Sequence, residues 1–334
     1  MLNRNPLISV IVPVFNSRNT VIRTLDSVFN QTYKNIEIVV VNDGSTDDSA
    51  DLIQSFFSTH TIAHIFKSID NRGLANARNV GWSLANGDYC LNLDSDDYLE
   101  PNIIQKVFDT CQSFDICYYG FRDVDCETLK EIYSYNQRFK FINNLGGYQA
   151  AILKLKRTIW ICQGSCIYNK RLFNEKTFNI AGINQGEDLL FITSMLFFSK
   201  KVICVEEIGV NIVSSPTSMM HKDYNESFCQ GIEAAKTLFD RIHPLTPSSE
   251  LIDLMTIEID NQVSRVEKAI ACSKGMSFTK KINVMKQIRN KYYIKLKKQK
   301  RLITRKKRLE FFFLNRPFLF FFFVKIYRLF STSK

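Results

Sequence analysis

The stretch at residues 87–97 reads GDYCLNLDSDD and decides the fold. Apolar side chains at every second position from Tyr89 onward are typical of a half-buried strand. The acidic residues Asp94, Asp96 and Asp97 follow, where a strand of an α/β sheet reaches its carboxyl end. Crowded carboxylates repel one another unless a hard, oxygen-preferring cation neutralises them, so the stretch predicts an Mn²⁺ or Mg²⁺ site that holds a diphosphate.

An ordinary acidic turn is the alternative interpretation, because Asp and Ser are common turn residues. A calcium-binding EF-hand loop is disfavoured, because the glycine and the closing glutamate of such a loop are absent. The rest of the chain has to decide between the turn and the cation site.

The composition describes a globular body with a basic C-terminal region. The chain has 334 residues, 45% of them hydrophobic, which suits one large α/β domain with an extension. Residues 280–308 contain fourteen Lys or Arg and no acidic residue, whereas residues 1–279 contain 26 basic and 32 acidic residues. The net charge of +11 therefore belongs to the C-terminal region.

The cysteines and the N-terminus both predict a cytoplasmic protein. Nine cysteines are scattered without a Cys-x-x-Cys pair, which favours reduced thiols over disulfides or zinc ligands. The N-terminal residues are polar and lack the apolar core of a signal peptide.

Strand and helix patterns alternate through the first hundred residues. Apolar runs predict strands at 7–14, 36–41, 62–67 and 88–93, with helices between them that include 19–30 and 74–85. Asn16 and Ser17 are expected to cap the first of these helices. This order is typical of an open, mostly parallel sheet, in which a ligand lies beyond the carboxyl ends of the strands.

Both polar and apolar residues are expected to share that edge of the sheet: Pro13, Val14, Asp43, Asn71, Arg78 and Asp94 to Asp97. Asp43 can accept a hydrogen bond from a nucleobase, Arg78 can pair with phosphate, and Asp96 can bind the cation. Neither a Gly-x-Gly-x-x-Gly nor a Walker-type loop occurs, which argues against a dinucleotide dehydrogenase and a P-loop NTPase.

Three motifs in order resemble glycosyltransferase family 2, whose catalytic domain has the GT-A fold. They are PVFNSRNTVIRTLDSVFNQTYKNIEIVVVNDGSTDDS, NRGLANARNVG and GDYCLNLDSDDYLEP. The resemblance is close over residues 7–101 and looser to about residue 220. It implies a catalytic domain at residues 1–220 and a nucleotide-sugar donor, and the helical patterns after residue 222 make 221–334 a separate C-terminal region.

The resemblance also assigns roles to single residues. It places Pro13 and Asp43 at the nucleoside, Asn71 and Arg78 near the base and diphosphate, and Asp94 and Asp96 at the ribose, the sugar and the metal. The whole expected donor-binding set is Pro13, Val14, Asp43, Asn71, Arg78, Asp94, Ser95 and Asp96. For Asp97 the sequence leaves open a role as the N-cap of a helix that begins near Pro101.

The pair Glu187 and Asp188 precedes an apolar helix. Acids at this position also complement the helix dipole, so the pattern alone does not require catalysis. The resemblance implies that Asp188 is the catalytic base of an inverting transfer and that Glu187 orients the acceptor or the base. His221, in a loop after Ser-Pro-Thr-Ser-Met-Met, is a candidate metal ligand, although a loop histidine is also commonly idle.

Helical patterns continue after residue 222, at 223–242, 249–272 and 277–309. The last is polybasic and leads into the phenylalanine-rich residues 309–328, where charges and a proline break the run too often for a transmembrane helix. Residues 280–330 are therefore expected to lie on an anionic membrane surface. The alternative is that the phenylalanines pack on the protein's own helices or on a second subunit of a homo-oligomer.

The sequence thus predicts a peripheral, metal-dependent glycosyltransferase that uses a UDP-sugar and a glycan or lipid-linked glycan acceptor, in capsule, lipopolysaccharide or teichoic-acid synthesis. A catalytically inactive donor-binding partner is a second interpretation. A nucleic-acid-binding protein is disfavoured, because only two tyrosines interrupt the cations of 280–308. Nucleotidyl transfer is disfavoured because the loop at 13–20 lacks the glycines and the lysine expected for it.

Overall fold

The structure is a computed structural model that describes residues 5–292, except residues 112, 181, 215–223, 247 and 274. The chain divides into two compact units, Met1–Pro216 and Thr217–Lys334. The functions that the sequence assigns to residues 1–220 and 221–334 stay predictions.

The first unit alternates strands and helices along most of its length. Its strands are β1 (Ile8–Val14), β2 (Ile36–Asp43), β3 (Ala63–Ile69), β4 (Tyr89–Asn92), β5 (Tyr98–Leu99), β6 (Ile116–Asp125), β7 (Glu131–Ser134), β8 (Cys166–Asn169) and β9 (Val202–Ser214). Its helices are α1 (Val21–Phe29), α2 (Ser49–Thr59), α3 (Leu74–Leu84), α4 (Ile103–Thr110), α5 (Gly147–Leu155) and α6 (Glu187–Phe198).

The strands form one sheet in the order β3-β2-β1-β4-β8-β6-β9-β5, with β7 paired to β6. Strands β1 to β4 are parallel, as the sequence predicts. Beyond β4 the sheet is mixed, because β8 runs antiparallel to both β4 and β6, whereas β9 runs parallel to β6. The α/β class is confirmed, and the antiparallel pairing is the part that the local patterns did not show.

Two apolar layers cover the faces of the sheet. Every residue of β1 and β2 is buried, which explains their continuous apolar runs. One face packs on α1, α2 and α4, and the other on α3, α5 and α6. Strand β3 is only partly buried, as an edge strand is. The carboxyl ends of β1, β2 and β4 are thereby held side by side by a rigid core.

The second unit is helical where it is described, with α7 (Gln230–Ile242), α8 (Ser249–Cys272) and α9 (Phe278–Tyr292). The helical patterns at 223–242 and 249–272 are confirmed, with α7 beginning later than expected. Among the described residues, no helix has the length and apolar character needed to cross a membrane. His221 and residues 293–330 of the expected membrane-binding region lie outside the described residues.

Candidate active site

The site begins where β1 and β4 separate. Their register ends at the pair Ile11–Asn92, followed by a hydrogen bond from the Leu93 N–H to the Ile11 carbonyl over 2.9 Å. The next residue of β1 on that side is Pro13, which has no N–H with which to continue the ladder. Residues 94–97 are therefore free to turn away from the sheet, beside the buried Pro13 and Val14.

Asp43, at the end of β2, shapes the loop before α3. Its carboxylate is 3% exposed and accepts hydrogen bonds from the Arg72 N–H (2.9 Å) and the Gly73 N–H (2.8 Å). Gly73 has φ +89°, and a Cβ there would lie 2.4 Å from Nδ2 of Asn184, so only glycine fits. Asn71, in the same loop, is exposed at the rim. Base recognition by Asp43 stays a prediction. In the structure the Asp43 carboxylate stabilises the loop before α3.

Asn16 does not cap α1. The helix begins at Val21, and the Asn16 side chain instead accepts from the Thr46 N–H over 2.8 Å. Asn16 thus joins the loop after β1 to the loop after β2. The cap prediction was wrong for both Asn16 and Ser17, because Thr20 is the N-cap and the two side chains have partners in other loops, Thr46 and Ser95.

Arg78 is the centre of the site. It lies on α3, is 1% exposed, and its Nη2 donates to Oδ1 of Asp94 over 2.7 Å. Its Nη1 lies 3.3 Å from Oε1 of Glu187 and 3.2 Å from Oδ1 of Asp188. Phosphate pairing by Arg78 stays a prediction; in the structure both Nη atoms face carboxylates.

Glu187 and Asp188 reach Arg78 because they are the first two residues of α6. Gly186, at the N-cap, has φ +83°, a conformation that glycine adopts without strain. The two acids occupy the first helical turn, with 11% of the Glu187 side chain and 46% of the Asp188 side chain exposed. Asp188 thus contacts the buried Arg78 guanidinium and is also open to solvent.

The acidic turn after β4 presents its members in different directions. The Asp94 side chain is 36% exposed and Asp96 is exposed, whereas Ser95 is buried with its Oγ 2.7 Å from Oγ of Ser17. Asp97 is buried and accepts from the Val213 N–H of β9 over 2.9 Å. The suggested N-cap role of Asp97 is therefore wrong, since its carboxylate is used to join β9 to the turn.

The electrostatics show an excess of negative charge. Burial raises the pKa of Asp96, with Asp94 adding to the shift, even though one side of Asp96 meets solvent. Burial and the neighbouring Asp96 and Asp94 raise the pKa of Asp97 well above its usual range. Burial alone would lower the pKa of Arg78, but its three carboxylate partners outweigh it, and the guanidinium stays charged. A further cation is electrostatically favoured beside such a cluster.

The carboxylates of the site suit a divalent cation that takes its remaining ligands from a substrate. In the part of the chain that the structure describes, no three His, Cys, Asp or Glu side chains are grouped so as to hold a metal by themselves. Mg²⁺ and similar ions commonly take one or two carboxylates and complete their shell with substrate phosphate oxygens and water. The exposed Asp96 and the partly exposed Asp94 fit that arrangement, and Asp188 does not need to take part.

Sequence reasoning missed two groups of residues at the site. Cys162 lies among the acids: burial raises the pKa of its thiol to about 12, and Asp188, Asp97 and Asp94 add to the shift. Polar residues of α1 contact the turn after β4. The sequence contained a signal for this contact, because Ser27 of α1 and Gln31 just after the helix are polar and four residues apart beside an apolar helix face. No local signal marked Cys162.

Comparison with known proteins identifies the family. Residues 9–178, just over half of the chain, match the family described as Glycosyl transferase family 2, and the chain belongs to that family. Glycosyltransferase GlyA of Streptococcus pneumoniae serotype 4 is 34% identical over 204 residues, which are 59% of this chain and 29% of GlyA. The chain spans less than two thirds of the length of the first curated relatives that it matches.

Solved structures confirm the fold. S. aureus TarS 1-349 superposes with a TM-score of 0.71 at 16% identity, covering 97% of this chain and 91% of that one. The same protein in complex with UDP-GlcNAc gives 0.62 at 17% identity over 86% and 81% of the two chains. Mannosyltransferase PcManGT from Pyrobaculum calidifontis, in complex with GDP-Man and Mn²⁺, gives 0.54 at 13% identity over 98% and 88%. The GT-A fold predicted from the sequence is thus confirmed.

Proposed function

We propose that this chain is an inverting, metal-dependent glycosyltransferase that moves a sugar from a UDP-sugar to a glycan acceptor in cell-surface polysaccharide synthesis. Asp188 is the general base, and Asp96, together with Asp94, would hold Mn²⁺ or Mg²⁺. The observation that carries the proposal is the contact of one buried guanidinium, that of Arg78, with both Asp94 after β4 and Asp188 at the start of α6. The acid cluster and the base are thereby held on either side of one open edge.

The reaction uses one base and no enzyme nucleophile. Asp188 takes the proton of an acceptor hydroxyl, and that oxygen attacks the anomeric carbon of the donor. The bond from the anomeric carbon to the diphosphate oxygen breaks, and the nucleoside diphosphate leaves with the electron pair. A single displacement inverts the anomeric carbon, so an α-linked donor gives a β-glycoside.

The chain's own residues orient the donor. When bound, a divalent cation supplies Lewis-acid stabilisation of the leaving diphosphate, and Asp96 with Asp94 would hold it. Pro13, Val14, Asp43 and Asn71 would enclose the nucleoside, and Ser95 supports the turn through Ser17. The complexes of TarS with UDP-GlcNAc and UDP, and of PcManGT with GDP-Man and Mn²⁺, support a nucleotide-sugar donor and a divalent cation here.

The acceptor is a glycan, and a lipid-linked glycan would account for a membrane-binding region at residues 280–330. The polybasic character of that region supports a peripheral position on the inner face of the membrane. Sedimentation with anionic liposomes tests this part separately. The full chain should pellet with them, and a chain ending at residue 292 should stay in the supernatant; equal pelleting of both would reject the anchor.

Calorimetric titration tests the donor assignment. The full chain is titrated with UDP, GDP, CDP and dTDP and with their sugars, each with Mn²⁺, with Mg²⁺ or with EDTA. Tight, metal-dependent binding of UDP and one UDP-sugar is the expected result. Failure of a folded sample to bind any of these nucleotides would reject the transferase.

An inactive donor-binding partner would give the same titration, so turnover has to separate the two. The partner interpretation predicts donor binding without release of nucleoside diphosphate. The open carboxylate of Asp188 favours the enzyme, because a binding partner has no use for an exposed base held by a buried arginine.

A further inference from the structure

A row of polar side chains on α1 and just beyond its end holds the backbone that follows Asp96. The row consists of Arg23, Thr24 and Ser27 of α1 and of Gln31, which follows the C-cap Asn30, and we call it the α1 polar edge. Its contacts are Thr24 Oγ1 to the Asp97 carbonyl (2.7 Å), the Leu99 N–H to Ser27 Oγ (3.2 Å) and Gln31 Nε2 to the Glu100 carbonyl (2.8 Å). Residues 97–100 are thus fixed by side chains of α1 and of Gln31 just after it.

Arg23 extends the α1 polar edge to the proposed metal ligand itself. Its Nη2 donates to the carbonyl oxygen of Asp96 over 2.8 Å. Its guanidinium carbon lies 5.4 Å from the ring centroid of Tyr98, which is within cation–π distance. Its Nε is buried with no hydrogen-bond partner among the described residues. The arginine is therefore held against the turn at two points, the Asp96 carbonyl and the Tyr98 ring.

The orientation of the Asp96 carboxylate depends on these contacts of Arg23 and Thr24. Asp96 is exposed and its carboxylate accepts a hydrogen bond from its own main-chain N–H, so the direction of the carboxylate follows that of the main chain. A hydrogen bond from a charged donor is among the stronger ones that a carbonyl can accept. Arg23 and the buried Thr24 fix two successive carbonyls, those of Asp96 and Asp97, and leave the carboxylate of Asp96 facing outward.

We propose that Arg23 is a positioning residue that holds the Asp96 main chain in the conformation in which its carboxylate binds the cation and the donor diphosphate. This inference rests on the proposed function. Arg23 acts through Asp96 and does not itself touch the donor. Partners behind a metal ligand typically contribute about 10-fold to 100-fold in metal affinity.

Three variants of the full chain test the assignment. Arg23→Met removes the hydrogen bond and keeps most of the side-chain volume, and Arg23→Lys keeps a charged donor. Arg18→Met is the matched control. Arg18 lies just before the same helix and pairs with Asp48 over 3.3 Å in an exposed ion pair. UDP affinity is measured by calorimetry with Mn²⁺ and again with EDTA, and thermal melting checks that each variant is folded.

The expected result is a loss of UDP affinity that is seen with Mn²⁺ and not with EDTA. UDP affinity with Mn²⁺ should fall about 10-fold or more in Arg23→Met and recover in part in Arg23→Lys, whereas UDP affinity in EDTA should match wild type. Arg18→Met should match wild type in both buffers. If Arg23→Met does not fold, a smaller loss in a folded Arg23→Lys sample, present with Mn²⁺ and absent with EDTA, carries the test.

Two results would overturn the assignment. Unchanged Mn²⁺-dependent affinity in the folded variants would show that Asp96 needs no support from Arg23. An equal loss with Mn²⁺ and with EDTA would make Arg23 a direct phosphate ligand instead. Failure of wild type to bind UDP in either buffer would reject the proposed function as well, so the two failures are distinguished by the wild-type titration.

Discussion

Arg78 and Asp188 lie on different helices and are joined by a contact of 3.2 Å between Nη1 and Oδ1. The same guanidinium contacts Asp94 and Glu187, so one buried positive charge serves three carboxylates from two distant parts of the chain. The site is therefore organised around Arg78, and each carboxylate depends on it for charge compensation.

The first prediction follows from this dependence. Arg78→Met should lower the free energy of unfolding by about 3 kcal/mol, because it leaves the carboxylates of Asp94 and Asp188, crowded beside the nearly buried Glu187, without a counter-charge. Urea denaturation of the variant and of wild type measures the difference. Arg18→Met, at an exposed ion pair, should cost less than about 1 kcal/mol. Equal stability of Arg78→Met and wild type would show that Arg78 does not organise the site.

Glu187 should make the stability depend on pH. Burial and the neighbouring Asp188 raise its pKa from 4.5 to about 8, against the opposing effect of Arg78. Because the folded protein holds this proton more tightly than the unfolded chain, the contribution of Glu187 to stability is lost as pH rises from about 4.5 to about 8. Glu187→Gln mimics the protonated side chain, so it should gain stability relative to wild type at pH about 8.5 compared with pH about 5. A difference that does not change with pH would contradict the raised pKa.

Asp260, in α8, should also make the stability of the protein depend on pH. It is 7% exposed, its Oδ2 has no hydrogen-bond partner among the described residues, and burial raises its pKa from 3.8 to about 7. Since the folded-state pKa is the higher one, the cost of ionising Asp260 appears as pH rises from about 4 to above 7. Asp260→Asn should therefore raise the melting temperature at pH about 8 more than at pH about 5.

The control for Asp260 is Asp240→Asn, at an exposed aspartate of α7. This variant should shift the melting temperature little at either pH. If the Asp260 and Asp240 variants behaved alike across the pH range, burial of Asp260 would not be the cause of the pH dependence.

Asp96→Ala tests the cation site. UDP affinity should fall in Mn²⁺ buffer and stay near the wild-type value in EDTA, because only the metal-dependent part passes through the carboxylate. Asp109→Asn, at an acid of α4 that accepts from Gln105, is the control and should match wild type in both buffers. Loss of affinity in EDTA alone would be incompatible with a metal-ligand role.

The sequence predicted what depends on local pattern. The buried runs of β1 and β2, the turn after β4 and the acids at the start of α6 all follow from periodicity and turn composition, and each was located from the sequence. The partners of Asp97 and Arg78 were not, since Val213 lies 116 residues from Asp97 and Asp188 lies 110 residues from Arg78. Contacts of that range depend on the order of strands in the sheet, and the antiparallel β8 left no local signature that could reveal it.

The most direct test of the central claim is release of UDP from a UDP-sugar by wild type and by Asp188→Asn, with donor affinity measured on the same samples. Transfer to acceptor or to water should fall by about 100-fold to 10,000-fold in Asp188→Asn, whereas Mn²⁺-dependent donor affinity should stay near wild type. That pair of results would make Asp188 the base beside an intact donor site. A wild-type rate of UDP release from Asp188→Asn would contradict the account.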